Sequence, residues 1–161
     1  MDIREARISE AEAICGVHRR SIVELCVADH QNDSAILEAW LASKTPENVR
    51  RWIERPDSNV LVAAEGGAMI AVGCVRDSGE ILLNYVSPDA RFRGASKAML
   101  AALEGIAREC GAERCRLVST ETARRFYRSA GYVEDGPPQE SFGSKASYPM
   151  AKRLAAEAEK G

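Results

Sequence analysis

The sequence predicts an α/β domain: a mixed, mostly antiparallel and twisted central sheet of about seven strands flanked by helices. Three observations carry this. Apolar residues in the N-terminal part recur at three- and four-residue steps, the period of amphipathic helices. Three apolar runs then follow, separated only by short glycine-bearing turns, as in an antiparallel meander. The third run leads into a helix–strand–helix–strand order, so a β-α-β unit extends the sheet.

Taken in order, DIREAR (residues 2–7) alternates enough for a short first strand. From Ser9, the expected N-cap, the residues Ala11, Ile14, Cys15, Val17, His18, Ile22, Leu25 and Cys26 trace one face of a helix. QNDS breaks it, and SAILEAWLA makes a second short helix. Thr45 caps a third, with Pro46 at its first position, Glu47 in its first turn and Pro56 just beyond its end. NVLVAAE, AMIAVGCVRD and EILLNYVSP are the meander, turned at Gly66-Gly67 and Ser78-Gly79. RFRGASKAMLAALEGIAREC is a helix with Met99, Leu100, Leu103, Ile106 and Ala107 on one face. A strand (ERCRLVST), a helix (ARRFYRSA), a strand at Gly131-Tyr132-Val133 and a last strand in SYPMAKRL complete one domain over residues 1–154. Residues 155–161 are expected to be a polar, flexible tail.

Composition limits the function. With 45% hydrophobic and 29% charged residues the chain has the mix of a globular domain rather than a disordered one. A net charge of −2 supplies no broad basic field for nucleic acid or an anionic membrane, so any anion site is local. The opening MDIREARISE lacks the regions of a signal peptide, and no apolar run reaches the ~20 residues of a membrane helix. Five cysteines (15, 26, 74, 110 and 115), none spaced CxxC, suit reduced thiols packed as small core residues in the cytoplasm. With two histidines, no metal site is expected.

Two stretches carry chemistry. YVSPDARFRGASKAML gathers Arg91, Arg93 and Lys97 around a glycine that opens a helix, with Asp89 the one acid. Backbone N–H groups and the positive dipole end converge at such a place and suit a phosphate. It is neither a P-loop nor a GxGxxG fingerprint. STETARRFYRSAGY sets Arg124 and Arg128 four apart, with Phe126 and Tyr127 before a helix end at Gly131. Alone, the first reads equally as an ordinary strand-to-helix turn, and the second as a solvated basic face with two core aromatics.

Together they resemble the GCN5-related N-acetyltransferase (GNAT) family. A strand ending V-x-P leads there to R/Q-x-x-G-x-G/A, matched by Val86-Ser87-Pro88 and by Arg91-Phe92-Arg93-Gly94-Ala95-Ser96. The second family block, N-x-x-A-x-x-F/L-Y-x-x-x-G-F/Y, is matched from Thr120 to Tyr132. The opening IREAR with its following SEAEAI, and Met150, Lys152 and Leu154 of the last strand, look similar too. Two positions depart: Ser96 stands for Gly or Ala, and Thr120 for Asn, a shorter side chain.

The resemblance implies acetyl-CoA as cosubstrate and no metal. Its pyrophosphate would lie on the turn of Arg91, Phe92, Arg93, Gly94, Ala95, Ser96 and Lys97, and its pantetheine beside Asn84, Tyr85 and Val86, with Thr120 and Arg124 also toward the cofactor. Acetyl transfer would go directly to an amine of a small molecule or peptide. A main-chain N–H near Val86 would stabilise the oxyanion, and Tyr127 would protonate the leaving thiolate or, alternatively, only pack beneath CoA. Glu80, His30 and Glu24 are candidates for a base, and none is assigned; Trp40 and Trp52 either line the acceptor pocket or belong to the core. A homodimer is compatible with the family. The other class left open is an acyl-CoA-binding regulatory module without chemistry. Nucleic-acid binding through Arg124, Arg125 and Arg128 is opposed by the net charge and by the lack of interleaved stacking aromatics.

Overall fold

Residues 1–141 and 145–155 are described by a computed structural model; of the expected tail, residues 156–161 lie outside the described residues. The first strand, β1 (Asp2–Glu5), is followed by a single 3₁₀ turn (Ile8–Glu10) and α1 (Ala11–Leu25). Ser9 lies inside that turn rather than capping the helix. Glu10 stands at the N-cap position instead, without a side-chain bond to the helix; its carboxylate accepts the Arg7 N–H at 2.9 Å and Arg4 grips it at 2.7 and 2.9 Å. A short α2 (Val27–His30), unforeseen in the sequence, precedes α3 (Ser34–Leu41), which Asp33 caps by accepting the Ala35 and Ile36 N–H groups. Thr45 caps α4 (Pro46–Glu54) as expected, accepting the Asn48 N–H at 3.2 Å.

The meander forms as read: β2 (Ser58–Glu65), β3 (Ala68–Arg76) and β4 (Ile81–Val86) pair antiparallel, with β1 on the outer edge of β2. The register slips by one residue where Cys74 faces Leu83 and Val75 faces Ile81, so Leu82 is an extra residue that bends β4. Next come α5 (Ala95–Glu109), β5 (Arg114–Ser119), α6 (Arg124–Ser129), β6 (Val133–Glu134), β7 (Gln139–Ser141) and β8 (Lys145–Arg153). These strands make a second sheet ordered β5-β8-β6, with β7 also on β8. The described strands number eight rather than about seven. The addition is β7, three polar residues with no alternation to mark them, held by pairing to β8. The sheet is also divided in two between β4 and β5.

The core lies on both faces of the first sheet. Met99, Leu100, Leu103 and Ala107 of α5 are buried against one face, as the helical spacing predicts, and Ile106 is half-buried. Each large side chain so buried contributes about 1.5–3 kcal/mol. On the other face α1 and α4 pack Ile14, Cys15 and Val49 onto Val60, Val62, Val72 and Leu83. Four of the five cysteines are buried and none is in a disulfide, in keeping with small core residues. Trp40 is buried with Ile22 and Cys26. No helix of the described residues is long and apolar enough to cross a membrane.

One core residue has no polar partner. His18 of α1 is 1% exposed, lies against Tyr85 at 4.3 Å between ring centres, and neither ring nitrogen finds a hydrogen bond among the described residues. Burial, helped by the nearby charges of Lys44 and Arg19, pulls its pKa down to about 3. The unfolded chain takes up a proton below about pH 6.5 that the folded protein refuses, so stability falls as pH drops from there toward 3. Between pH 7 and 5 this group alone is expected to remove about 2 kcal/mol. In urea titrations at the two pH values, His18→Phe should lose about that much less stability than the parent; an equal loss in both would refute this.

Candidate active site

Strands β4 and β5 run parallel side by side but touch only where they begin. The Arg116 N–H donates to the Gly79 carbonyl at 3.0 Å, and Glu80 bridges Arg116. Gly79 takes φ +96°, and a Cβ there would collide with the Arg114 carbonyl oxygen, so the junction requires glycine. Beyond it the strands part around a recess of about 380 Å³, walled by β4 and by Leu117–Ser119 of β5.

The phase of the β3–β4 ladder decides what β4 presents to this recess. Ser87 N–H donates to Ile70 O at 2.7 Å, and positions along an antiparallel strand alternate between bonded and free. Tyr85 therefore bonds β3, while Asn84 and Val86 direct their N–H and C=O groups across the gap. The Asn84 side chain adds to this: its Nδ2 donates to Ser96 O at 3.4 Å, and its buried Oδ1 has no partner among the described residues.

At the wide end the chain turns from β4 into α5. Ser87 accepts the Asp89 N–H at 3.3 Å, which starts the 3₁₀ turn Pro88–Ala90, and Arg20 of α1 holds the Asp89 carboxylate at 3.0 and 3.3 Å. The one acid of this stretch is thus already neutralised. Gly94 takes φ +77°, with no atom within 4 Å of where a Cβ would stand. Helical bonding begins with Ala98 N–H to Gly94 O at 3.0 Å. The N–H groups of Ala95, Ser96 and Lys97 are left without intrahelical partners, at the positive end of a 15-residue helix. Phe92, also at positive φ, is 91% exposed with the Arg91 guanidinium 4.6 Å from its ring centre.

The far wall is Tyr127, 6% exposed and wedged edge-on between Phe126 (5.1 Å) and Tyr132 (5.6 Å). Burial pushes its phenol up to about 12, with a hydrogen bond from Asn84 working weakly the other way. Thr120 spends its hydroxyl on the Ala123 N–H at 3.1 Å, capping the turn into α6. The same loop is held from a distance by Asp29 of α2. Its carboxylate accepts the N–H groups of Glu121 (2.7 Å) and Thr122 (3.1 Å) and the Thr122 hydroxyl.

Of the residues singled out in the sequence, Asn84, Tyr85, Val86, Arg91, Phe92, Gly94, Ala95, Ser96, Lys97, Thr120 and Tyr127 all line this one recess. Arg93 stands outside its lining, leaning to within 4.0 Å of Glu65, and so does Arg124. Arg124 reaches Glu121 at 3.3 Å and Glu134 at 3.4 Å, and covers the Tyr148 ring at 3.7 Å. His30 is fully buried: Nε2–H points at the Ile22 and Val23 carbonyls (3.0 and 3.1 Å), and Nδ1 accepts the Asn32 N–H at 2.9 Å. Its nitrogens are committed to the fold, which removes it as a base. Glu24 is exposed and paired to Arg20, and neither tryptophan lines the recess. Ser21, Leu25 and Cys26, which do line it, carry no sequence signal beyond the amphipathic pattern of their helix.

Residues 26–154 match the family model described as Acetyltransferase (GNAT) domain. Among solved structures, a GCN5-related N-acetyltransferase of Rhodopseudomonas palustris superposes with a TM-score of 0.85 at 22% identity, over 95% of each chain. PaiA N-acetyltransferase of Thermoplasma acidophilum, in complex with coenzyme A, scores 0.78 at 22% identity, over 94% of this chain and 98% of that one. YncA of Salmonella typhimurium, a putative acetyltransferase with acetyl-CoA, scores 0.73 at 21%, over 98% and 95%. No curated protein matches the chain significantly.

Asp29 tests how the far wall is held. Replacing it by Ala takes the acceptor from two part-buried N–H donors and is expected to cost about 1–3 kcal/mol, read from denaturant midpoints. A loss below ~0.5 kcal/mol would mean that the loop stands without it.

Proposed function

The chain belongs to the GNAT acetyltransferase family, and from that premise we propose that it transfers the acetyl group of acetyl-CoA directly to an amine. The observation that carries the proposal is the parted strand edge, with Asn84 and Val86 offering free backbone groups beside the open N-terminus of α5. A pantetheine arm has amides spaced along an extended chain and can add to β4 as a strand would. The buried, unpartnered Asn84 Oδ1 fits an amide donor from such a ligand. The amides of Ala95, Ser96 and Lys97, with the Arg91 and Lys97 side chains, suit a pyrophosphate.

With the thioester beside β4, a free N–H of that edge, at Asn84 or Val86, meets the carbonyl oxygen as negative charge develops there. One such preorganised donor is worth about 3 kcal/mol. Tyr127 stays protonated throughout the neutral range, since its pKa is near 12. Proton transfer from such a phenol to a thiolate of pKa about 8.5 runs uphill. Its part is therefore a hydrogen bond to the sulfur as the C–S bond breaks, rather than early donation of a free proton. Glu80, the remaining candidate base, stands outside this lining at the β4–β5 junction, so a proton from the acceptor reaches it or solvent only through water.

Acetyl-CoA at about 100 times its Kd should add roughly 2.7 kcal/mol to stability. That is a rise of about 5–11 °C in Tm, at 2–4 °C per kcal/mol. ATP at equal concentration should leave Tm unchanged, and an equal shift with both would reduce the loop to a generic anion site. Tyr127→Phe should lower kcat about 10–100-fold with the KM for acetyl-CoA unchanged, as expected of a hydrogen bond to a developing charge. Unchanged kcat would leave the phenol as packing alone.

A further inference from the structure

The gap between β4 and β5 has a second mouth, on the face of the sheet away from α5. A recess of about 440 Å³ lies there and shares Ile81, Leu82, Leu117 and Val118 with the first. Strand register sets its side chains in two rows. One runs from Glu80 through Arg116 and Ala151 to Val133. The other passes from Leu82 to Val118, Pro149 and then Asp135, whose N–H bonds the Pro149 carbonyl at 2.9 Å. Leu82, Val118 and Val133 are 39%, 56% and 66% exposed, an apolar floor left open beside the helix-covered first sheet.

The charges on this floor are few and apart. Neither the Asp135 carboxylate nor the Arg116 guanidinium has an ion pair or side-chain hydrogen bond among the described residues, and Glu80 is drawn to within 3.6 Å of Arg76. Strand β8 separates Arg116 from Asp135, and with the two-residue offset between their rows their backbones lie about 12 Å apart. An uncommitted cation and an uncommitted anion therefore flank one apolar surface, next to the wall that both recesses share.

We propose that this second recess receives the acceptor, and that the acceptor is an amine carrying its own carboxylate, such as a free amino acid, with Arg116 holding that carboxylate. The proposal rests on the acetyl-transfer reading. Donor phosphates are drawn to the cationic mouth at Arg91 and Lys97, which leaves the other mouth for the second substrate. Arg116 stands two residues from Val118, about 7 Å along β5, a span its own side chain covers. A carboxylate at the guanidinium thus sets the neighbouring amine at the Leu82–Val118 wall, two residues along β4 from the free N–H of Asn84. The nitrogen forms its bond to the acetyl carbon and the C–S bond breaks with its electron pair going to sulfur. Of the two protons the ammonium gives up, one ends on the thiolate and one in water. The body of the acceptor lies across Val118 and Pro149 toward Asp135, which repels a second carboxylate.

The test is turnover of leucine, lysine, glutamate and leucinamide at saturating acetyl-CoA, read as thiol release, with the acetyl-CoA shift of Tm measured on every protein used. Leucine and lysine should exceed both leucinamide and glutamate in kcat/KM by at least 10-fold. Arg116→Gln should lower kcat/KM for leucine about 10–100-fold through KM, with leucinamide and the Tm shift unaffected. Asp135→Asn should narrow the gap between leucine and glutamate. Leucinamide turned over as well as leucine, an equal loss on both in Arg116→Gln, or no amino acid turned over by a protein whose Tm acetyl-CoA raises would each overturn the proposal. A protein whose Tm acetyl-CoA does not move loses the acetyl-transfer reading first, and this assignment with it.

Discussion

Strand β4 is hydrogen-bonded along one edge only, and the rest of the structure is arranged around that half-paired strand. An unpaired edge in the middle of a protein ordinarily invites pairing with another chain. Here the edge is short, bent by the extra residue Leu82, and enclosed by α1, α5 and α6, so a narrow ligand reaches it and another sheet does not. The contact at Gly79, Glu80 and Arg116 acts as the fixed corner from which both strands diverge.

Keeping that gap open takes structure on both sides. On one, the α5 packing of Met99, Leu100 and Leu103 fixes where the helix starts, and so where the amides of Ala95–Lys97 point. On the other, Asp29 ties the loop before α6 to a helix 92 residues earlier in the chain, and this loop carries Tyr127 into place. A second buried carboxylate continues the pattern. Glu104 of α5 accepts the Tyr132 hydroxyl at 2.7 Å and pairs with Lys152 at 3.1 Å, joining α5 to the second sheet behind Tyr127. Buried charges held by several donors are strongly destabilising when one partner is removed, so both fix a single arrangement of the wall.

Charge is sorted by mouth. Arg91 and Lys97 stand at one opening with the nearest acid, Asp89, occupied by Arg20. Glu80, Arg116 and Asp135 stand at the other. A chain with net charge −2 can therefore attract a strongly anionic ligand to one place without a basic surface elsewhere.

Helix and strand order, the meander, the Thr45 cap and the α5 core face were legible in the sequence because each depends on local spacing and turn chemistry. That Arg91, Gly94, Lys97 and Tyr127 would meet at one recess was legible because a glycine before a helix and the second block both keep their spacing in the chain, whereas Arg93 turns outward to Glu65. Other features were not. Ser9 lost the N-cap position to Glu10 because the 3₁₀ turn Ile8–Glu10, tied by Arg4 and the Arg7 N–H to the Glu10 carboxylate, precedes the helix. His30 looked available until the fold used both its nitrogens, and β7 exists only because β8 offers it an edge. The sequence by itself thus determined most of the elements, their order and the glycine turn that opens α5. Tertiary structure alone decided that β4 and β5 part beyond their first residues, which face Arg116 and Asp135 share, and which groups remain unpaired. Those outcomes depend on register and packing between segments far apart in the chain, and no local pattern encodes them.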